Sequence, residues 1–141
     1  MPPRSWLRFW LPPLLWIAVI FTASSASFSS ANTAPWLGRL VQSIFGHPIS
    51  ASTFDTLHYL IRKAGHLTEY GILGALLFRA IRAGRTGWDW RWMLAAVAIA
   101  AIVGGLDEWH QAFVPGRTST PWDTLIDTVG AVLAQVLFFR T

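Results

Sequence analysis

The 141-residue chain has no cysteine, only seven acidic and eleven basic residues, and no run of like charges that would form an acidic or basic tail. Without cysteine there are no disulfides and no thiolate metal sites, and the redox compartment stays open. A net charge of +4 that is spread out, with no basic patch interleaved with aromatics, speaks against nucleic acid as a partner. Internal repeats and a dividing linker are also missing, so residues 1–141 are predicted to form one domain. What the sequence does have is apolar surface. Hydrophobic residues make up 53% of the chain, nine of its residues are Trp, and its mean hydropathy is +0.43. That is more apolar surface than one soluble core uses.

Four apolar segments stand out, at residues 9–26, 64–83, 92–114 and 121–139. The third is the most telling. Its uncharged stretch from Trp92 to Leu106 reaches only about 23 Å at ~1.5 Å per residue, against a hydrocarbon layer of ~30 Å. It crosses only by continuing past Asp107 and Glu108. The fourth needs Asp127 in the same way. The predicted fold is all-α: a compact bundle of four transmembrane helices, with an outward-facing amphipathic helix before the second span. Thr22 to Ala34, rich in Ser and Ala, is expected to be irregular. Residues 35–45 are expected to form a short interfacial helix, ended by Gly46-His47-Pro48. Pro12 and Pro13 are expected in the first turns of the first span, where proline disturbs a helix least.

Arginine placement sets the orientation. Arg4, Arg8, Arg79, Arg82, Arg85, Arg91 and Arg140 fall on one side, and Arg39, Arg62, Lys63 and Arg117 on the other. By the positive-inside rule both termini are cytoplasmic. A cleavable secretory leader is the competing reading of the start, given Arg4, Arg8, the apolar run Leu11 to Phe21 and Ser24-Ser25-Ala26.

Ionisable groups at membrane depth face a bundle interior or a wet cavity and find partners there. Here Asp55, His58, Arg62, His66 and Glu69 follow at three- and four-residue steps, a polar stripe on a helix capped by Ser52 or Thr53. Gly104, Asp107, Glu108 and Gln111 share one side of the third span, with His110 beside Asp107, and Asp123, Asp127 and Gly130 recur on the fourth. Pro115-Gly116 predicts a type II turn that holds Arg117 near both helix ends. Gly71, Gly74, Gly104, Gly105 and Gly130 suit close helix packing. Three polar faces and one arginine thus converge on an outward pocket. The bland readings are specific as well. Asp123 fits an N3 carboxylate behind Thr120 and Pro121, Arg62 and Lys63 fit headgroup contacts, and Tyr70 fits an interface anchor. Asp107 and Glu108 fit an ion-pair network with Arg117 and Lys63.

The runs Arg62-Lys63-Ala64-Gly65-His66-Leu67-Thr68-Glu69-Tyr70, Asp107-Glu108-Trp109-His110-Gln111 continuing to Pro115-Gly116-Arg117, and Asp123-Thr124-Leu125-Ile126-Asp127 together resemble the successive motifs of the VanZ-like membrane protein family. The resemblance covers about half the chain. It implies a small multi-pass protein of the bacterial cytoplasmic membrane, whose namesake is linked to resistance against the lipoglycopeptide teicoplanin, and it implies no settled activity. The family usually has Asn where this chain has Asp127, which adds a negative charge.

Crowded carboxylates cannot all ionise easily, so a proton donor and an acceptor coexist in such a site. Glu108, His66 and Asp107 are the candidate acid–base residues. Arg62, Lys63, Glu69, Tyr70, His110, Gln111, Arg117, Asp123 and Asp127 are the candidate binding residues. The expected ligands are membrane lipids and a lipid-linked envelope precursor or lipoglycopeptide. No cofactor is expected and no metal is assigned. His66, Glu69, Asp107, Glu108 and His110 offer imidazole and carboxylate donors, but HExxH and thiolates are absent. A scaffold held by buried ion pairs and a small proton- or ion-coupled transporter are the alternatives, and the oligomeric state stays open.

Overall fold

The computed structural model describes residues 3–117 and 119–139, and the side chains of all of these except 3–5 and 137–139. Arg140, counted above among the cytoplasmic-side arginines, lies outside the described residues, as does the side chain of Arg4. The described chain is all helix, without strands: α1 (Pro3–Ala23), a 3-10 turn (Ala26–Phe28), α2 (Ser30–Phe45), α3 (Ala51–Arg82), α4 (Trp90–Gln111) and α5 (Pro121–Phe139).

Burial is inverted relative to a water-soluble protein. Asp107, Asp127, Gln111 and Gln135 are buried, while Leu11, Leu15, Ile102, Leu106, Phe113, Leu125 and Leu133 are exposed. In water such apolar cladding would drive association. Against lipid it is the expected exterior. Two helices, Trp6–Ala23 and Trp90–Gln111, are long and apolar enough to cross a bilayer. The other two predicted spans fall on α3 and α5, which carry the charged motifs.

Several boundaries differ from those predicted. Thr22 to Ala34 is mostly ordered, as the end of α1, the 3-10 turn and the first turn of α2. Its Ser and Ala residues tolerate a helix even though they carry no apolar period. α1 begins at Pro3, so Pro12 and Pro13 sit in mid-helix and leave the carbonyls of Arg8 and Phe9 without the usual amide donors. Ser50, rather than Ser52 or Thr53, caps α3, its hydroxyl accepting from the Thr53 amide at 3.2 Å. The amphipathic segment and the second span are one helix of 32 residues, about 48 Å long at ~1.5 Å per residue and longer than the hydrocarbon is thick. α4 stops at Gln111, three residues before the predicted end, and Asp89 caps its start. The Pro115-Gly116 turn forms as expected. The Arg117 amide donates to the Val114 carbonyl at 3.2 Å, and Gly116 takes a φ of 76°.

α3 and α5 run parallel with α4 antiparallel beside them, as successive crossings would. The α3–α5 contact depends on absent side chains. A Cβ on Gly130 would lie 2.4 Å from the Leu67 carbonyl oxygen, and one on Gly74 would lie 2.8 Å from the Ala131 Cα. A Cβ on Gly104 would press on Asp127 at 3.1 Å. Gly105 corrects the expectation, since it faces open space and packs nothing. Below this level Leu73, Leu77, Phe78, Ala96 and Ala100 form an apolar core, which α1 joins through Ile20. α1 is also fastened by the Trp16 indole, which donates to the Glu69 carbonyl at 2.9 Å.

Candidate functional site

His66 projects from the middle of α3 because helical spacing puts it one turn below Arg62, and it meets α5 where Gly130 permits close approach. Its Nδ1 lies 3.0 Å from Asp127 Oδ1, and Asp127 is fully buried. Glu108 comes from α4 to the same place. Donor atoms of His66, Glu108 and Asp127 all lie within 4.8 Å of one another. Glu108 Oε2 accepts from the Thr120 amide at 2.8 Å, so its carboxylate also anchors the turn that begins α5. Beside this trio, Gln111 Nε2 donates to Asp107 Oδ2 at 2.9 Å and to Ser24 Oγ at 3.2 Å. The Tyr70 hydroxyl is fully buried nearby, where its ring edge lies close to Gly104.

The charged candidates divide among different partners. Lys63 pairs with Asp123, so Asp123 is an ion-pair partner as well as a first-turn acid of α5. Burial, and then the neighbouring Arg62, lowers the affinity of Lys63 for its proton, while Glu108 and Asp127 oppose the shift. Arg62 donates to Ser30 at the start of α2. Arg117 corrects the predicted network. It donates to the backbone carbonyls of Ala23 and Ser25, at 3.2 Å for the second, and among the described residues it forms no ion pair with Asp107, Glu108 or Asp123. Burial is the main cause that lowers its proton affinity, followed by Arg62. His110 also stands apart from the trio, its ring tilted against Phe21 at 5.7 Å. Glu69 is half-buried and reaches the cavity described next.

A cavity of about 270 Å³ opens between α2, α3 and the end of α1. Its floor and one side hold His66, Glu69, Arg62 and Arg117, and its apolar wall is Phe28, Trp36, Leu37 and Ile61. Arg62 also borders a second cavity of about 390 Å³ that contains Lys63, Asp55 and Asp123. The structure therefore gathers His66, Glu108 and Asp127 in one cluster, Asp107 and Gln111 beside it, and Arg62, Glu69 and Arg117 around the adjoining cavity.

Sequence reasoning missed Thr33, Trp36 and His58. His58 Nε2 lies 3.1 Å from Thr33 Oγ1, and all three line the cavity. Trp36 and Thr33 lie in a stretch without charged motifs. His58 belongs to the polar stripe at helical spacing, and that spacing was the one signal that could have placed it in the site.

The profile of the VanZ/LLP1 family matches residues 9–140. No curated protein and no solved structure gives a significant match to the chain.

Proposed function

The chain belongs to the VanZ/LLP1 family, and from that footing we propose that it receives an anionic amphiphile of the cell envelope in the cavity between α2 and α3. The observation that carries this reading is the lining. Two guanidinium groups, Arg62 and Arg117, share one cavity with an apolar wall of Phe28, Trp36, Leu37 and Ile61. A lipid, a lipid-linked precursor or a lipoglycopeptide offers both halves of that match. Arginine suits the anionic end through its planar, two-pronged donor geometry.

The supporting topology has four spans, with α1, α3, α4 and α5 crossing the bacterial cytoplasmic membrane and both termini inside. It is favoured by the apolar exterior and by the arginine asymmetry. Cysteines introduced at Thr86 and Ser119 are expected to label from opposite faces of intact cells, and same-face labelling would refute the topology.

A scaffold without turnover has one observation in its favour. The Arg117 guanidinium already ties the α4–α5 turn to the end of α1 through the Ala23 and Ser25 carbonyls. The two readings part in a paired experiment on delipidated full-length protein, with phosphatidylglycerol and teicoplanin as separate probes in native mass spectrometry. Under the binding reading, Arg117→Lys keeps the melting temperature within a few degrees and weakens probe binding by about tenfold, or ~1.4 kcal/mol. Unchanged binding of both probes in Arg117→Lys, with a large melting shift in Arg117→Ala, would establish the scaffold instead.

A further inference from the structure

The cluster at the inner edge of the cavity has more donor atoms than the protein's own hydrogen bonds use. Asp127 gives one oxygen to His66 and Glu108 gives one to the Thr120 amide. The remaining oxygens, Asp127 Oδ2 and Glu108 Oε1, are buried without a hydrogen-bond partner among the described residues. Asp127 is 0% exposed and Glu108 is 5% exposed. A buried carboxylate oxygen left bare costs about 1–3 kcal/mol or more. Two such carboxylates in one cluster make that cost harder to carry.

A proton alone is a poor remedy. A single proton neutralises one carboxylate and leaves the other charged and buried beside it. A cation bound by both oxygens removes the repulsion and satisfies both atoms together. We propose that His66, Glu108 and Asp127 form a site for one divalent transition-metal ion, of the zinc or manganese class.

The donor set supports that class. One imidazole and two carboxylates match the nitrogen and oxygen preferences of zinc, manganese and ferrous iron, and three protein ligands leave a coordination position for water or substrate. An ion with donors at ~2.0–2.2 Å places them about 3–4.4 Å apart. Small side-chain rotations therefore bring the observed trio, within 4.8 Å of one another, around one ion. His66 also lines the cavity, so the open position would face the proposed ligand, while Glu108 and Asp127 hold the ion from the interior. With Asp at position 127 the trio carries two formal carboxylate charges. Of the possible donors named from sequence, His66 and Glu108 are in the trio, Glu69, Asp107 and His110 are not, and Asp127 takes their place.

Metal binding here goes beyond the amphiphile reading and can be measured without it. The full-length protein in detergent is stripped with chelator, then loaded separately with Zn²⁺, Mn²⁺ and Co²⁺ and desalted, and bound metal is determined by elemental analysis. The expected result is about one equivalent per chain for at least one ion. Glu108→Gln and Asp127→Asn should each weaken that binding by more than the ~10-fold that loss of an outer-shell partner alone brings. The exposed Asp55→Asn serves as control and should bind as the parent does. Where a variant does not fold, the Co²⁺ spectrum of the parent decides, through the intense visible band of a low-symmetry nitrogen- and oxygen-bound ion. Failure of the parent to retain any ion, a Co²⁺ spectrum matching the aqueous ion, or undiminished binding in both folded variants would overturn the site. None of these outcomes bears on amphiphile binding, which the Arg117 experiment reads separately.

Discussion

The same three helices make two unlike contacts at their two ends. Toward the C-terminus of α3, Leu73, Leu77 and Phe78 meet Ala96 and Ala100 of α4 in an apolar core. About two to three turns earlier along α3, His66 meets Glu108 of α4 and Asp127 of α5 in a polar cluster, and the bare carboxylate oxygens lie there. Along this stretch Gly71, Gly74 and Gly130 bring the α3 and α5 backbones together, and Gly104 makes room for Asp127 and Tyr70. At the apolar end Gln135 Oε1 is a buried oxygen without a hydrogen-bond partner among the described residues, but no carboxylate is buried there. The polar end is left with unmet hydrogen-bonding capacity, and in a compact membrane protein that is where a ligand has something to gain. Under the proposed function, stability and recognition fall to different stretches of the same helices.

That division can be broken first at its hinge. Gly130→Val is expected to have the largest effect, because the new side chain would meet the Leu67 carbonyl of α3, which cannot rotate away as a side chain can. The loss should exceed the ~1–3 kcal/mol usual for overpacking, and it should appear as loss of a monodisperse folded species in detergent. A variant that purifies and melts like the parent would contradict the backbone contact. A smaller effect is expected from Leu77→Ala in the apolar core, about 2–5 kcal/mol of lost packing. Thermal melting should fall, while probe binding measured well below the new midpoint stays within about twofold of the parent, or ~0.4 kcal/mol. Impaired binding at that temperature would show that the two ends are not separable. The smallest effect belongs to Lys63→Gln, about 1–3 kcal/mol, because it leaves the buried Asp123 carboxylate without its cation while the N-terminal dipole of α5 still supports that charge. A larger melting shift would move Lys63 from the rim into the structural network.

Much of this arrangement is legible in the amino-acid sequence because charge in an apolar context is conspicuous. His66, Asp107, Glu108 and Asp127 stand out for that reason, and helical spacing assigns them to converging faces. The Pro115-Gly116 turn is equally readable, since few dipeptides specify a backbone so narrowly. Arg117 is the instructive miss. Its observed partners are carbonyl groups of Ala23 and Ser25, and a backbone acceptor has no residue type by which it could be anticipated. The continuity of α3 was legible in part, since the polar stripe from Asp55 to Glu69 already carries one helix from the amphipathic segment into the second span. The first loop was hidden by composition. Ser and Ala neither demand nor forbid a helix, and the order of that segment rests on contacts such as Thr33 with His58 and Ser30 with Arg62.

Where Gly130 lets α5 rest on the main chain of α3, the pair loses a degree of freedom that side-chain packing would have left. Two helices separated by flexible side chains can slide or turn past one another at modest cost, whereas two that touch at backbone atoms lock like a key in its ward. A rearrangement that opened the cavity would spare that pair and fall on α2, which meets α3 through side chains such as Thr33 and His58.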